Sequence, residues 1–197
     1  VALDYPARLP MNAFFSLIDQ LNRHPQQKEE LESLIWQTFG ARKAILALDM
    51  SGFSLTVRRE GILAYLRQIR RMQEAALPLV RQCMGDIVKC EADNLMAVFD
   101  HCPDAVNAAV AINRACAAIG QPVSIGIDYG HILLIPATDC YGDAVNLAFK
   151  LGEDIARADE VLLTDAVRQQ LEPGLPSLKE EHFSVSGLDL RVCLSFP

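Results

Sequence analysis

The chain has 197 residues, of which 51% are apolar, and a formal net charge of −7 at pH 7. This length fits one domain with an attached extra element, and the apolar content is enough to bury a core, which excludes a disordered chain. The negative charge disfavours a nucleic-acid surface, because binding to a phosphate backbone requires clustered Lys and Arg side chains.

The cysteine pattern and the apolar runs indicate the compartment. No apolar run approaches the roughly 18 to 20 residues of a membrane helix, and no signal-peptide pattern opens the chain. The six cysteines include no C-x-x-C pair, and several lie in apolar runs, where a free thiol packs as a small hydrophobe. We therefore expect a soluble, cytoplasmic protein that contacts no membrane and contains no structural zinc.

Two amphipathic helices are predicted ahead of the main domain. The first covers residues 12–24, and the second ends at Phe39, where Gly40 stands in the position of a C-cap. We expect residues 1–40 to form a lead-in and a helical hairpin, and residues 41–197 to form the main domain. Packing of the hairpin's apolar stripe against the main domain is the role that we favour for it.

Short apolar strands alternate with helices along the main domain. Strands are predicted at residues 43–50, 86–91, 95–99, 123–128, 132–135 and 161–164, with a closing pair at 183–185 and 190–194. Helices are predicted at residues 61–83, 103–119 and 165–171, and another starts near residue 143. The strands at 123–128 and 132–135 are predicted to form a pair around Tyr129 and Gly130.

The element order β-α-β-β-α-β is typical of a ferredoxin-like sheet with helices on one face. We therefore predict an α+β fold with a ferredoxin-like βαββαβ core, additional C-terminal strands and an N-terminal helical hairpin. Pro78 implies a kink in the helix at residues 61–83, or an early end to it, because a proline inside a helix removes one hydrogen bond.

Two aspartates follow predicted strands at places where they can act on phosphates. Asp49 ends a buried strand ahead of a glycine turn, which presents backbone N–H groups to anions, and Asp93 lies at the tip of the next hairpin. If the two strands are neighbours, the carboxylates converge and can share two divalent ions about 3.5 to 4 Å apart. Taken singly, an Asp at either place more often caps a helix or satisfies a turn.

Four segments strengthen the interpretation because they occur in one order. They are LDMSGFS at residues 48–54, KCEADNLMAVF at 89–99, GIDYG at 126–130 and YGDAVNLAFKL at 141–151. In this order they resemble the class III nucleotidyl cyclases, the catalytic domain of adenylate and guanylate cyclases. The resemblance runs from about residue 42 to residue 171.

The resemblance implies a two-metal site. In it, Asp49 and Asp93 bind two divalent metal ions, Mg²⁺ or Mn²⁺, and the backbone carbonyl of Met50 assists them. The turn that follows cradles the phosphates of the nucleotide with Gly52, Phe53 and Ser54.

The resemblance also implies residues for base recognition and for the transition state. Lys89 and Asp139 match the base-reading positions, and both fit adenine, since an ammonium can donate to N1 and a carboxylate can accept from the amino group at N6. Asn146 matches a transition-state residue. Lys150 stands where the family has Arg, on the same helix face as Asn146. Because Lys cannot form the bidentate fork of Arg, a reduced turnover is expected.

Three further departures from the family pattern concern backbone and charge. Ala92 replaces the Gly that usually precedes the second metal-binding acid, which constrains the hairpin tip. Residues 135–137 lack a Gly that the family has after Gly130. The closing strand pair, predicted within residues 183–194, contains no phosphate-binding Lys.

The resemblance therefore implies a homodimeric adenylate cyclase that converts ATP to cyclic AMP and pyrophosphate, with a role in signal transduction. One chain of the dimer supplies the metal-binding acids, and the other supplies the base-reading and transition-state residues. Two alternatives stay open. One is a weakly active or inactive nucleotide-binding regulatory domain, to which Lys150 and Ala92 point. The other is a cyclase for GTP or for a pyrimidine triphosphate.

Overall fold

The computed structural model describes the backbone of residues 9–51, 53–171, 178–185 and 188–195, and the side chains of residues 11–51 and 57–171. The helices are α1 (Leu9–Arg23), α2 (Lys28–Phe39), α3 (Phe53–Glu60), α4 (Ile62–Gln82), α5 (Cys102–Ala118), α6 (Asp143–Phe149) and α7 (Asp165–Arg168). The strands are β1 (Gly40–Met50), β2 (Asp86–Glu91), β3 (Asn94–Phe99), β4 (Val123–Ile135), β5 (Asp139–Tyr141), β6 (Val161–Thr164), β7 (Leu178–Val185) and β8 (Leu188–Ser195).

One eight-stranded sheet runs through the chain in the order β2-β3-β1-β4-β6-β8-β7, with β5 paired to the end of β4. Strand β1 is antiparallel to both of its neighbours, β3 and β4, whereas β4 and β6 are parallel. The remaining pairs are antiparallel. The predicted combination of helices with a mainly antiparallel sheet is therefore confirmed.

Strand β1 is central and carries apolar side chains on both faces. Ala44, Leu46 and Leu48 belong to the core that α4 and α5 form on one face. Ile45 and Ala47 belong to a second core, which α6 covers on the opposite face. The expectation of helices on one face is therefore wrong, and the continuous apolar run of β1 is explained by burial on both sides.

A glycine in β4 allows α6 to approach the second face closely. A Cβ atom on Gly126 would lie 2.1 Å from the carbonyl oxygen of Ala148 and 2.5 Å from the backbone nitrogen of Gly152. Both are backbone atoms that cannot move aside. The segment Lys150–Ile155, a π-helical turn that extends α6, thus packs directly against the sheet.

Strand β4 differs from the prediction of two short strands. It is one strand that pairs with β1 along its whole length, from Leu133 opposite Gly40 to Val123 opposite Met50. Gly130 lies inside this strand and not in a turn, and a Cβ there would lie 3.0 Å from the Cβ of Ala144. The glycine therefore serves close helix packing, which the sequence pattern does not distinguish from a turn.

Several element ends also differ from the predictions. Helix α4 continues past Pro78 to Gln82, close to the predicted range of 61–83, so of the two alternatives at Pro78 the early end is wrong. Its residues Met72, Ala76 and Val80 are fully buried, and this packing offsets the hydrogen bond that Pro78 removes. Helix α3 and strand β5 were not predicted.

The last strand pair is longer than predicted. Strand β7 begins at Leu178 and so includes Lys179, which lies opposite Leu194 of β8. The absence of Lys thus holds for the predicted range of 183–194 but not for the whole of the observed pair.

The two N-terminal helices cover one end of the sheet. Phe14 of α1 and Phe39 of α2 are buried together with Ile135 of β4, and the ring of Phe14 stacks on that of Tyr141 in β5 at 5.6 Å between centroids. The favoured role of this segment, packing of its apolar stripe against the main domain, is confirmed. Within the described part of the chain, no helix is both long and apolar enough to cross a membrane.

Candidate active site

Asp49 and Asp93 come together because their strands are neighbours. In the pairing of β1 with β3, Leu48 lies opposite Leu95, so the residue after Leu48 lies beside the hairpin tip that carries Asp93. Burial raises the pKa of Asp49 to about 6, and repulsion from Asp93 and from Glu153 adds to the shift. A cation between these carboxylates would relieve that repulsion.

Glu153 was missed by the sequence analysis. It lies on the π-helical turn after α6, and its own pKa is raised by partial loss of hydration and by repulsion from Asp154 and Asp93. A π-helical turn is uncommon and occurs often at functional sites, but a single sequence gives no clear signal for one. Only the folded chain brings this third acid toward the two aspartates.

The hairpin tip has the backbone constraint that the sequence predicted. Ala92 has a φ of 48°, in the left-handed region that glycine adopts without a Cβ penalty. Asp93 is the next residue, and β3 begins directly after it at Asn94. The direction in which Asp93 points therefore depends on a strained two-residue connection.

Tyr65 contacts Asp93 and was not predicted as a site residue. It lies on the buried stripe of α4, and its hydroxyl donates a hydrogen bond to Oδ2 of Asp93 at 2.6 Å. Burial raises the pKa of this phenol, and the hydrogen bond to Asp93 raises it further. A tyrosine in an otherwise aliphatic stripe was the available signal, since its hydroxyl needs a partner when buried.

The remaining residues of the predicted metal and phosphate site follow β1. Met50 is buried at the end of β1, and its backbone N–H donates to the Asp49 carboxylate, which opposes the rise in pKa. Helix α3 begins at Phe53. The predicted phosphate turn lies largely outside the described residues, because Gly52 and the side chains of Phe53 and Ser54 are not described.

Lys89 and Asp139 also come together, although they are far apart in the sequence. The Lys89 Nζ lies 3.4 Å from Oδ2 of Asp139 and 3.5 Å from Oε2 of Glu91. Burial lowers the pKa of Lys89, but Asp139 and Glu91 more than offset this and raise it. Oδ1 of Asp139 accepts the backbone N–H of Cys140 at 2.9 Å, which orients the carboxylate.

A cavity of about 170 Å³ adjoins Lys89. Its other lining residues are Glu91, Asn94, Met96 and Phe149. Within the described residues, Oδ1 of Asn94 is buried and has no hydrogen-bond partner. An unsatisfied buried acceptor is uncommon in folded proteins, and a ligand with a donor group would satisfy it.

Asn146 and Lys150 lie on α6 and at its extension. The backbone N–H of Lys150 donates to the carbonyl of Asn146, so the helical spacing between them is kept. The side chain of Asn146 is exposed, and that of Lys150 is half-buried. The described groups whose charges act on Asp49 are Asp93 and Glu153.

A larger cavity of about 650 Å³ lies between β4, α6 and α7 and contains none of the predicted site residues. Asp128 in its wall is 4% exposed and accepts a hydrogen bond from Thr164. Across the described residues, no group of three or more His, Cys, Asp or Glu side chains is arranged to hold a metal ion. The paired aspartates therefore supply only part of a coordination sphere.

Solved structures with this fold are nucleotidyl cyclase domains. A structure named adenylate/guanylate cyclase/hydrolase from Silicibacter pomeroyi has a TM-score of 0.70 and 29% identity, and the match covers 80% of this chain and 98% of that one. The adenylyl cyclase CyaB from P. aeruginosa has a TM-score of 0.62 at 18% identity, covering 79% and 94% of the two chains. The guanylate cyclase domain of RhGC from Catenaria anguillulae, in complex with GTP, has a TM-score of 0.65 at 16% identity, covering 78% and 94%. At these identities the last two show the fold alone.

One curated protein is also similar in sequence. A Rhizobium meliloti (strain 1021) protein named "Putative adenylate cyclase 3" is 28% identical over 134 residues, which are 64% of this chain and 22% of that protein. This chain thus spans about a fifth of the length of that relative. No protein-family model matches the chain. Together with the fold, this similarity confirms the resemblance to class III nucleotidyl cyclases.

Proposed function

We propose that the protein is an adenylate cyclase that acts as a homodimer and converts ATP to cyclic AMP and pyrophosphate. The observation that carries the proposal is the convergence of Asp49 and Asp93 at the end of β1, where burial, with repulsion from Asp93 added to it, raises the pKa of Asp49 to about 6. Two acids held this close without a cation are unfavourable, and a divalent ion would stabilise them.

The donor set fits Mg²⁺ or Mn²⁺. Asp49, Asp93 and the carbonyl of Met50 are oxygen ligands, which these hard cations prefer. Mg²⁺ is usually held by one or two carboxylates together with substrate phosphates, so two aspartates and a triphosphate are enough. Two bound ions would lower the pKa of the ribose 3′-hydroxyl and neutralise the triphosphate. Gly52, Phe53 and Ser54 would bind the phosphates through backbone N–H groups.

The Lys89–Asp139 pair supports adenine as the base. Lys89 can donate to N1 of adenine, and Asp139 can accept from the amino group at N6. Guanine carries a carbonyl at position 6 and a donor at N1, so the same pair would face unmatched groups. The unsatisfied Oδ1 of Asn94 in the adjoining cavity is a further acceptor for a base with donor groups. GTP and the pyrimidine triphosphates are the alternatives that a product assay separates.

The exposure of Asn146 supports the dimer in this proposal. Asn146 and Lys150 are on α6, and Asn146 is exposed to solvent. In a symmetric dimer these residues would reach the nucleotide bound by the aspartates of the other chain. There Asn146 would donate a hydrogen bond to the substrate, and Lys150 would place a point charge beside the phosphoryl oxygens. A single chain would then lack half of each site.

A nucleotide-binding regulatory domain with little turnover is the second candidate. It is favoured by Ala92, whose φ of 48° indicates strain in the hairpin tip that orients Asp93. It is also favoured by Lys150, which cannot form the bidentate hydrogen bonds that an Arg makes to a phosphoryl group. Titration calorimetry that detects metal-dependent ATP binding, without any cyclic product, would support this candidate over the cyclase.

The test is a product assay with ATP, GTP, CTP and UTP, each with Mg²⁺ and with Mn²⁺. We expect cyclic AMP from ATP, and we expect Asp49→Asn and Asp93→Asn to abolish it while circular dichroism stays unchanged. Asp19→Asn is the matched control, because Asp19 is an exposed acid on α1, which packs against Ile135 at the end of β4 opposite to Val123, the partner of Met50. No cyclic nucleotide at protein concentrations that support a dimer would contradict the proposal.

A further inference from the structure

Tyr65 links the rigid core to the hairpin tip that carries Asp93. Its side chain is 2% exposed and belongs to the core between the sheet and helices α4 and α5. Its hydroxyl reaches Oδ2 of Asp93 at 2.6 Å, across 28 residues of sequence. The phenol is the donor in this bond, since an ionised carboxylate only accepts.

The hairpin tip that carries Asp93 has a backbone that does not by itself fix the orientation of this side chain. Ala92 is held in the left-handed region, and Asp93 follows it at the end of a two-residue connection. A side chain at such a tip can adopt several staggered rotamers unless a neighbouring group hydrogen-bonds to it or packs against it. The Tyr65 ring is held by packing on a 21-residue helix, so its hydroxyl offers Asp93 a fixed anchor.

We infer that Tyr65 is a positioning residue that orients Asp93 for metal binding. The bond to Tyr65 engages Oδ2, and the inference assigns the other oxygen, Oδ1, to the cation. It also fixes the carboxylate in one rotamer, which compensates for the Ala at position 92. The metal role of Asp93 in this inference rests on the proposed function. Outer residues of this kind typically change metal affinity or activity by about 10 to 100 fold when they are removed.

A purely structural role for Tyr65 predicts something different. In that case the hydrogen bond only satisfies a buried hydroxyl, and its loss would lower the stability of the fold without changing the affinity for metal. The two roles are therefore separated by a measurement of metal binding, and not by activity or stability alone.

The experiment compares the wild-type chain with Tyr65→Phe, which keeps the ring and removes only the hydroxyl. Binding of Mn²⁺ is measured by electron paramagnetic resonance in the presence of 3′-deoxy-ATP, which lacks the attacking hydroxyl and cannot cyclise. We expect Tyr65→Phe to bind Mn²⁺ about tenfold more weakly. With ATP, the Mn²⁺ concentration for half-maximal rate should rise by a similar factor while kcat at saturating Mn²⁺ changes less.

Tyr129→Phe is the matched control. Tyr129 is a half-buried tyrosine whose ring lies under the guanidinium of Arg42, on a strand away from Asp93. Tyr129→Phe should leave the affinity for Mn²⁺ unchanged.

A second readout uses the wild-type chain and does not depend on the folding of Tyr65→Phe. Mg²⁺ with pyrophosphate should change the near-ultraviolet circular dichroism of tyrosine, and Asp93→Asn should abolish this change.

The outcomes separate the two proposals. If the wild-type chain makes cyclic AMP and Tyr65→Phe binds Mn²⁺ as tightly as the wild type, the inference is wrong and the proposed function stands. An unchanged tyrosine signal on metal binding would also contradict the inference. If the wild-type chain neither binds Mn²⁺ with the nucleotide nor forms a product, the proposed function fails and the inference fails with it.

Discussion

Ala92 is the residue at which this chain departs most clearly from unstrained geometry near the site. A residue with a Cβ in the left-handed region is less stable than glycine by about 1 to 2 kcal/mol. Ala137 has a similar φ of 53° and lies in the other segment where the family has a Gly. At both places the backbone keeps the conformation that a glycine would adopt, although the glycine is absent.

Replacement of Ala92 by Gly should therefore stabilise the protein. Relief of the left-handed strain contributes about 1 to 2 kcal/mol. The greater freedom of Gly in the unfolded chain offsets about 0.4 to 1 kcal/mol of this gain. We expect the free energy of unfolding, measured by urea denaturation, to rise by about 0.5 to 1 kcal/mol.

Ala117→Gly is the control for this prediction, because Ala117 is exposed near the end of α5 in helical backbone. There Gly should lower the free energy of unfolding by about 0.5 to 1 kcal/mol. A loss of stability in Ala92→Gly would mean that the left-handed φ of Ala92 is not a source of strain.

The pairs Asp49–Asp93 and Lys89–Asp139 were predictable from sequence, because each member lies in a segment whose order follows a known family. Tyr65 and Glu153 were not. Tyr65 falls on the apolar stripe of a helix, and Glu153 falls on a π-helical turn without a sequence signature. Their closeness to Asp93 comes from tertiary packing, which the local pattern does not contain.

The N-terminal helices pack against the strand that carries Asp139. Phe14 of α1 contacts the rings of Phe39 in α2 and Tyr141 in β5. Strand β5 also contains Asp139, only two residues before Tyr141. The position of Asp139 beside Lys89 therefore depends on the packing of α1 against the end of the sheet.

Phe14→Ala should cost far more stability than the same change at the next residue. Phe14 is 4% exposed and Phe15 is 44% exposed, so only Phe14 leaves a buried cavity when it is truncated. We expect a loss of about 3 to 5 kcal/mol for Phe14→Ala. Phe15→Ala should cost less than about 1 kcal/mol. Equal losses in urea denaturation would contradict the packing of α1 on β5.

The prediction of helices and strands succeeded where one sequence pattern dominated. It failed where a residue type, such as glycine, occurs in two different structural settings. The strands β2 and β6 have the predicted bounds because each is a short run between clear breaks. Strand β4 was divided at Gly130, since glycine marks turns as often as close packing. Helix α4 was predicted over residues 61–83 with a kink or an early end at Pro78, and burial of its stripe keeps it helical to Gln82.

At the scale of the whole molecule, one chain carries both halves of the proposed site. Asp49 and Asp93 lie together at one end of β1, and Asn146 is exposed on α6, the helix that covers the sheet face of Ile45 and Ala47. The order of motifs predicts all of these residues, and in the proposed homodimer the two halves meet only between two copies of the chain. No pattern within one chain encodes that geometry.

Complementation between two inactive variants tests the central claim most directly. Asp93→Asn removes a metal-binding acid, and Asn146→Ala removes a transition-state residue, so each homodimer should be inactive. In a mixture, the heterodimer has one site in which both halves are intact. For random pairing in equal amounts, half of the dimers carry one working site, so the mixture should form cyclic AMP at about a quarter of the wild-type rate. If the mixture is as inactive as each variant alone, while the wild type is active, the site is not shared between two chains.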